Sequence, residues 1–181
     1  MIYDPAEDSY LLESVIEGYA KGKSVIDIGT GSGILAKKAK QSGAKSVTAL
    51  DINPEAIKQL KKEKINGIKL IHSNLFQKVK GKFDLIICNP PYLPEEKEED
   101  KQSKLATSGG KSGDEFIIKF LNQTLSHLNK NGIILILVSS LTPIKKINHL
   151  LKRLKLKNKV IASKKIFFEE LFVWEIKHNN A

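Results

Sequence analysis

The chain has 181 residues, 41% of them hydrophobic, a single cysteine and a formal net charge of +10. That length and apolar content suit one core-forming domain over residues 1–181, and the lone Cys88 excludes an internal disulfide and a cysteine-cluster metal site, so no metal is expected. No apolar run approaches the ~20 residues of a membrane span, and the first residues lack the basic and apolar regions of a secretory leader. A cytoplasmic protein with no membrane partner is the expectation.

The elements follow in chain order. Tyr10, Leu11, Val15, Ile16 and Tyr19 recur at helical spacing, which predicts an amphipathic helix ending near Gly22. Glu7 and Asp8 fall in its first turn, where carboxylates suit the helix dipole. Residues 24–29 read as a first strand, followed by a glycine-rich turn and a helix over 34–41 that Gly43 ends. A second strand spans 47–51. Asn53 caps the next helix, with Pro54 and Glu55 in its first turn, and the helix runs to about Asn66. A third strand covers 68–72 and should lie at a sheet edge. A loop over 78–82 leads into a fourth strand at 83–88, whose unbroken apolar run marks it as buried on both faces. The polar stretch 94–113 has no apolar period. A helix is predicted over 114–128, ended by Asn131-Gly132, then a fifth strand over 133–138. Thr142 and Pro143 start a helix to about Leu154, and two closing strands span 158–163 and 171–177. Strand–helix alternation requires an α/β fold: a seven-stranded, mostly parallel sheet with helices on both faces and one antiparallel strand near an edge.

The strand exits carry the chemistry. After the first strand comes Asp27-x-Gly29-x-Gly31-x-Gly33. The glycines permit a tight turn and close approach of a ligand, while the leading carboxylate would repel a pyrophosphate and attract a cation. S-adenosylmethionine carries an ammonium and a sulfonium, so this turn suits it better than a nicotinamide cofactor. Asp51, at the end of the second strand, can accept bonds from both ribose hydroxyls. Asn74, after the third strand, can accept from an adenine amine. Leu75 and Phe76 either pack on that base or fill the core. After the fourth strand stands Asn89-Pro90-Pro91-Tyr92. The prolines stiffen the exit and remove two N–H donors, Asn89 supplies an amide acceptor, and Tyr92 supplies a flat face. Together these suit a planar –NH2 group, held by two acceptors and covered by a ring.

Asp27-Ile28-Gly29-Thr30-Gly31-Ser32-Gly33 with Asn89-Pro90-Pro91-Tyr92 resembles the class I S-adenosylmethionine methyltransferases that modify planar amines. Tyr3-Asp4-Pro5-Ala6-Glu7-Asp8-Ser9, Asp51-Ile52-Asn53-Pro54-Glu55-Ala56 and Gly109-Gly110-Lys111-Ser112-Gly113 narrow the resemblance. They look like the HemK-like glutamine methyltransferases of archaeal and eukaryotic type, across nearly the whole chain. The resemblance implies a Rossmann-like class I methyltransferase fold and S-adenosylmethionine as cofactor. It implies a substrate glutamine in the Gly-Gly-Gln tip of a class I translation release factor, with a histone lysine in related members. It also implies a small zinc-binding activator subunit forming a heterodimer. The family's cofactor positions map onto Ser9, Asp27, Gly29, Asp51, Asn74, Leu75 and Asn89, with Gly31 and Gly33 completing the turn; Asn74 stands where many members carry an acid. Asn89, Pro90 and Tyr92 are the expected catalytic residues, and with Pro91 they form the substrate site.

The same tetrapeptide occurs in enzymes that methylate the exocyclic amine of adenine in DNA or RNA, so nucleic acid is the rival substrate. Residues 144–181 hold ten basic and three acidic residues, +7 of the +10. However, Arg153 is the only arginine in the chain, and base-edge recognition favours arginine.

Overall fold

The computed structural model describes residues 4–92, 110 and 112–179. Of the expected loop over 94–113, only Gly110, Ser112 and Gly113 fall within them; Tyr3, Gly109 and Lys111 of the motifs lie outside.

The elements run α1 (Glu7–Ala20), β1 (Ser24–Ile28), α2 (Ile34–Gln41), β2 (Ser46–Asp51), α3 (Pro54–Lys62), β3 (Ile68–His72), a 3-10 turn (Leu75–Lys78), β4 (Phe83–Cys88), α4 (Glu115–Thr124), a second 3-10 turn (Leu125–His127), β5 (Leu128–Ser139), α5 (Ile144–Arg153), β6 (Leu156–Lys165) and β7 (Glu170–His178). The strands form one sheet in the order β3-β2-β1-β4-β5-β7-β6. β1 to β5 are mutually parallel, and β7 runs antiparallel to both β5 and β6. The expected seven-stranded sheet is therefore present, with β7 as its antiparallel strand and β3 at one edge.

The unbroken apolar runs are explained by two cores, one on each face. Val25, Leu85, Ile87, Leu135 and Leu137 pack with Leu12 and Ile16 of α1 and Leu35 and Ala39 of α2. Their neighbours one residue away, Ile26, Ile86, Cys88, Ile134 and Ile136, pack with Ile117 and Phe120 of α4 and Ile147 and Leu151 of α5. A strand whose alternate side chains meet two different helix layers has no solvated face, so it carries no polar alternation. Cys88 is fully buried; burial first, and the nearby Asp27 second, push its thiol well above its ordinary value, which fits a core residue.

Three boundaries differ from expectation by four residues or more. The helix after Asn53 ends at Lys62 rather than near Asn66, because Lys64 adopts a left-handed conformation (φ 49°) and stops it. Lys155 (φ 56°) stands in the corresponding place after α5. The helix expected to reach residue 128 ends at Thr124, and β5 begins at Leu128, five residues before residue 133. Asn131-Gly132 thus lies inside β5. The partners shift there from Phe83↔Leu128 to Leu85↔Ile133, so the pair read as a helix stop is an irregularity in the strand. The first 3-10 turn, Leu75–Lys78, was not anticipated.

Gly33 closes the glycine turn at φ 78°, and a Cβ there would lie 2.7 Å from Cδ2 of the buried Leu60. Gly33→Ala should therefore lower stability by about 1–2 kcal/mol, the usual cost of left-handed backbone for a residue with a Cβ. The check is a thermal or urea melt of the two proteins.

Candidate functional site

The sheet order reverses at β1, which has β2 on one side and β4 on the other. Loops leaving a parallel sheet on either side of such a point diverge and leave a crevice. Ile28 pairs with both Leu50 and Cys88, so the exits carrying Asp27 and its glycines, Asp51, and Asn89 stand side by side. The first strand exit is held in place by its own backbone: Gly29 and Thr30 both donate to the Leu50 carbonyl at 2.9 Å.

Asp27 is completely buried. Its Oδ2 accepts from Thr30 Oγ1 at 2.6 Å, while Oδ1 is buried with no hydrogen-bond partner. Burial pushes the carboxyl up to about 7; the negative charge of Asp51 adds to this, and hydrogen bonds from Thr30 and the Ala36 backbone oppose it. A half-satisfied buried carboxylate is costly unless a donor or cation meets its open oxygen.

The glycines next to it open the approach. Gly29, Gly31 and Gly33 all have positive φ, and a Cβ placed on Gly29 would meet nothing within 4 Å. The free space in front of Gly29 is the kind a cofactor backbone approach requires. Asp51 is buried and ties this turn to its own: Oδ2 accepts from the Gly31 N–H and Oδ1 from the Asn53 N–H, both at 2.8 Å. Each oxygen keeps a second lone pair for a ribose hydroxyl. Ile52, between those partners, is one of the few large apolar side chains left exposed among the described residues. At the β3 exit, Asn74 is half-buried, and Leu75 is a non-glycine residue at φ 47°. Such backbone strain clusters at ligand sites. The Leu75 and Phe76 side chains are buried in the α4-side core.

Asn89 sits one position beyond the β4 register pair Ile28↔Cys88. Its Nδ2 donates to Asp8 Oδ2 at 3.1 Å and to Ser9 Oγ at 3.3 Å. A carboxylate only accepts, so these contacts fix which way the amide faces. They leave Oδ1 buried with no partner. Pro90 is buried, and Pro91 and Tyr92 are half-buried, with the Tyr92 ring packed partly against the α1-side core.

Asp8 was read from the sequence only as a carboxylate suited to the helix dipole. In the fold it is buried, accepts the Ser9 N–H at 2.6 Å and orients Asn89. Thr30, given no role of its own in the glycine motif, donates its hydroxyl to Asp27. The Asp8–Asn89 partnership is not visible in sequence, since the two are 81 positions apart, whereas Thr30 and Asp27, three positions apart, lie within reach of a local reading. Ser9, mapped to the cofactor, is brought to Asn89.

Asp8→Ala should lower kcat about tenfold, the size of a lost hydrogen bond to a charged group, with cofactor affinity nearly unchanged. Steady-state kinetics beside calorimetric cofactor binding would show that split; a purely structural role would weaken both.

Residues 5–168 match the family model described as methyltransferase small domain. The chain is 40% identical over 178 residues, 95% of its length, to a Methanocaldococcus jannaschii protein provisionally named a protein N5-glutamine methyltransferase, covering 89% of that protein. It is 36% identical over 138 residues to a release factor glutamine methyltransferase of Borreliella burgdorferi, matching 68% of this chain but only 48% of that one. Among solved structures, the E. cuniculi Mtq2-Trm112 complex, responsible for methylation of the eRF1 translation termination factor, aligns over 98% of both chains with a TM-score of 0.77 at 23% identity.

Proposed function

The chain belongs to the methyltransferase small domain family, and on that premise we propose that it methylates the side-chain amide nitrogen of a protein glutamine, the Gly-Gly-Gln glutamine of a class I translation release factor. The observation that carries this reading is the Asn89 amide: its NH2 is committed to Asp8 and Ser9, and its buried oxygen has no partner. An oxygen so placed accepts a hydrogen bond and cannot donate one, which suits a substrate group that presents N–H.

The residues present fit S-adenosylmethionine. Asp27, with its open oxygen, would meet the ammonium, Gly29 and Gly31 would admit the backbone of the ligand, and Asp51 would hold the ribose hydroxyls. Asn74 and the strained Leu75 backbone lie where the base would follow. When bound, the cofactor supplies an electrophilic methyl whose leaving group is a neutral thioether.

An amide nitrogen is a poor nucleophile because its lone pair is delocalised. Asn89 Oδ1 and the Pro90 carbonyl would each accept one N–H of the substrate, favouring a more tetrahedral nitrogen and freeing the lone pair for in-line attack. Once the new C–N bond forms, the nitrogen's proton becomes acidic and passes to water, so the site needs no strong base. Tyr92 walls the substrate. Rate enhancement then comes from positioning and from dipoles set in advance.

The reading extends to a partner and a place. A small zinc-binding subunit would pair with β3, the sheet edge, whose Ile68, Leu70 and Ile71 are only half-buried. An open cleft of about 470 Å³ lies beside that edge, lined by Pro54, Ile57, Lys61 and His72. One sheet with both faces covered supports residues 1–181 as a single methyltransferase domain. Among the described residues no helix is long and apolar enough to cross a membrane, and we assign the protein to the cytoplasm on the nature of its substrate.

The test is mass spectrometry of the release factor tip peptide after incubation with enzyme and cofactor. A gain of one methyl on the glutamine is expected. Transfer to DNA or RNA adenine instead, with the tip unmodified, would overturn the reading.

A further inference from the structure

Five of the six large apolar side chains left exposed among the described residues lie at the end of the sheet where the site opens: Tyr10, Ile52, Leu141, Phe167 and Phe168. Only Val160 stands elsewhere, within β6. The two phenylalanines are the extreme case, 97% and 89% exposed. They form the turn between β6 and β7, with their ring centroids 5.6 Å apart. The turn is built: the Ile166 N–H donates to the Glu169 carbonyl at 2.9 Å, and the Ile166 side chain turns inward to the α1-side core. Only the two rings face out.

Register places this turn on the rim of the site. β7 runs antiparallel to β5, with Ser139 opposite Leu171, so the residues just before β7 stand beside the β5 exit, next to the β4 exit that carries Asn89. Leu141 lies two residues beyond that β5 exit. Two side-chain ties hold the turn there. Ser139 Oγ donates to the Glu169 carboxylate, and Lys164 is paired with Glu7, the neighbour of the Asp8 that orients Asn89. The rings add nothing to the core, yet they are presented on a braced turn.

We propose that Phe167 and Phe168, with Leu141 beside them, form a docking tip that seats in an apolar recess of the folded protein substrate, next to the segment bearing the acceptor glutamine. This rests on the glutamine reading above. The charges around the tip select the occupant: Lys164 is paired with Glu7, and Lys165 is offset by the nearby Glu169 and Glu170, so the tip carries no net positive field to hold a phosphate backbone or an anionic lipid surface. A neutral aromatic pair suits an apolar protein surface, where buried aromatic anchors dominate the binding energy.

The test compares the wild type with Phe167→Ser/Phe168→Ser on two substrates: a full-length class I release factor and a short synthetic peptide containing its Gly-Gly-Gln. The double variant should raise KM for the protein at least about tenfold, since the loss of even one of the two buried Phe contacts is worth that much. Its kcat, its kinetics on the peptide and its melting temperature should stay as in the wild type. An unchanged KM for the protein, with the wild type active, overturns the docking tip and leaves the glutamine reading standing. A wild type that methylates neither substrate overturns both. Sedimentation showing a dimer that the double substitution dissociates overturns the tip as a substrate contact, because a second copy would then be its occupant.

Discussion

Asn89→Ala should lower turnover on the release factor about 10²–10³-fold, the range seen when one preorganised hydrogen-bonding group is removed from a reacting centre, while cofactor affinity changes far less. The magnitude follows from what the side chain does. Its NH2 is fastened to Asp8 and Ser9, so the amide is already turned with Oδ1 as its free acceptor. Alanine removes that acceptor and leaves the Asp8 carboxylate without one of its donors. Asn89→Asp separates the roles further: it keeps an acceptor but sets two carboxylates against each other at the β4 exit, and it too should be impaired. Single-turnover methyl transfer beside equilibrium cofactor binding makes the distinction. Near-normal turnover for Asn89→Ala would remove this residue from the chemistry.

Asp27→Asn should weaken S-adenosylmethionine binding about 10²–10³-fold, the cost of removing one partner from a buried, desolvated charge pair. The pH dependence is more specific. In the fold Asp27 titrates at about 7, against an ordinary 3.8, chiefly because it is buried. Its charged form is therefore disfavoured on folding, and from this group the ligand-free protein gains stability as pH falls from above 7 towards 4. Cofactor binding runs the other way, because the ammonium needs the carboxylate. Affinity should drop by up to about tenfold per pH unit below 7, with proton release on binding near neutral pH. Isothermal calorimetry in buffers of different ionisation enthalpy reads both effects. In Asp27→Asn the slope with pH should vanish, and the ligand-free protein at pH 8 should melt no lower than the wild type. A wild-type affinity that is flat from pH 8 to 6 would exclude an ionising Asp27 as the ammonium partner.

Periodicity and turn chemistry determine local structure, and they were legible here. Buried runs flanked by turns marked β1, β4 and the core of β5; Asn53-Pro54 marked the start of α3, where the Asn53 side chain does accept the Glu55 N–H at 3.0 Å. Spacing along the chain placed Asp27, Asp51 and Asn89 each at a strand exit, because every buried parallel strand ends in a loop. Where that reading failed, long-range pairing overrode a local signal. Asn131-Gly132 looks like a helix stop, but β4 supplies a ladder that carries the strand through it.

The amino-acid order by itself determined the α/β class, the antiparallel closing pair and the candidate residues, since these depend on patterns within a few positions. Only the tertiary structure decided which way the Asn89 amide faces, why Asp27 titrates near neutral pH, and that a bare aromatic turn borders the site. Each of these depends on atoms from elements far apart in the chain meeting in a medium without water, where a missing partner or an uncompensated charge is felt most strongly.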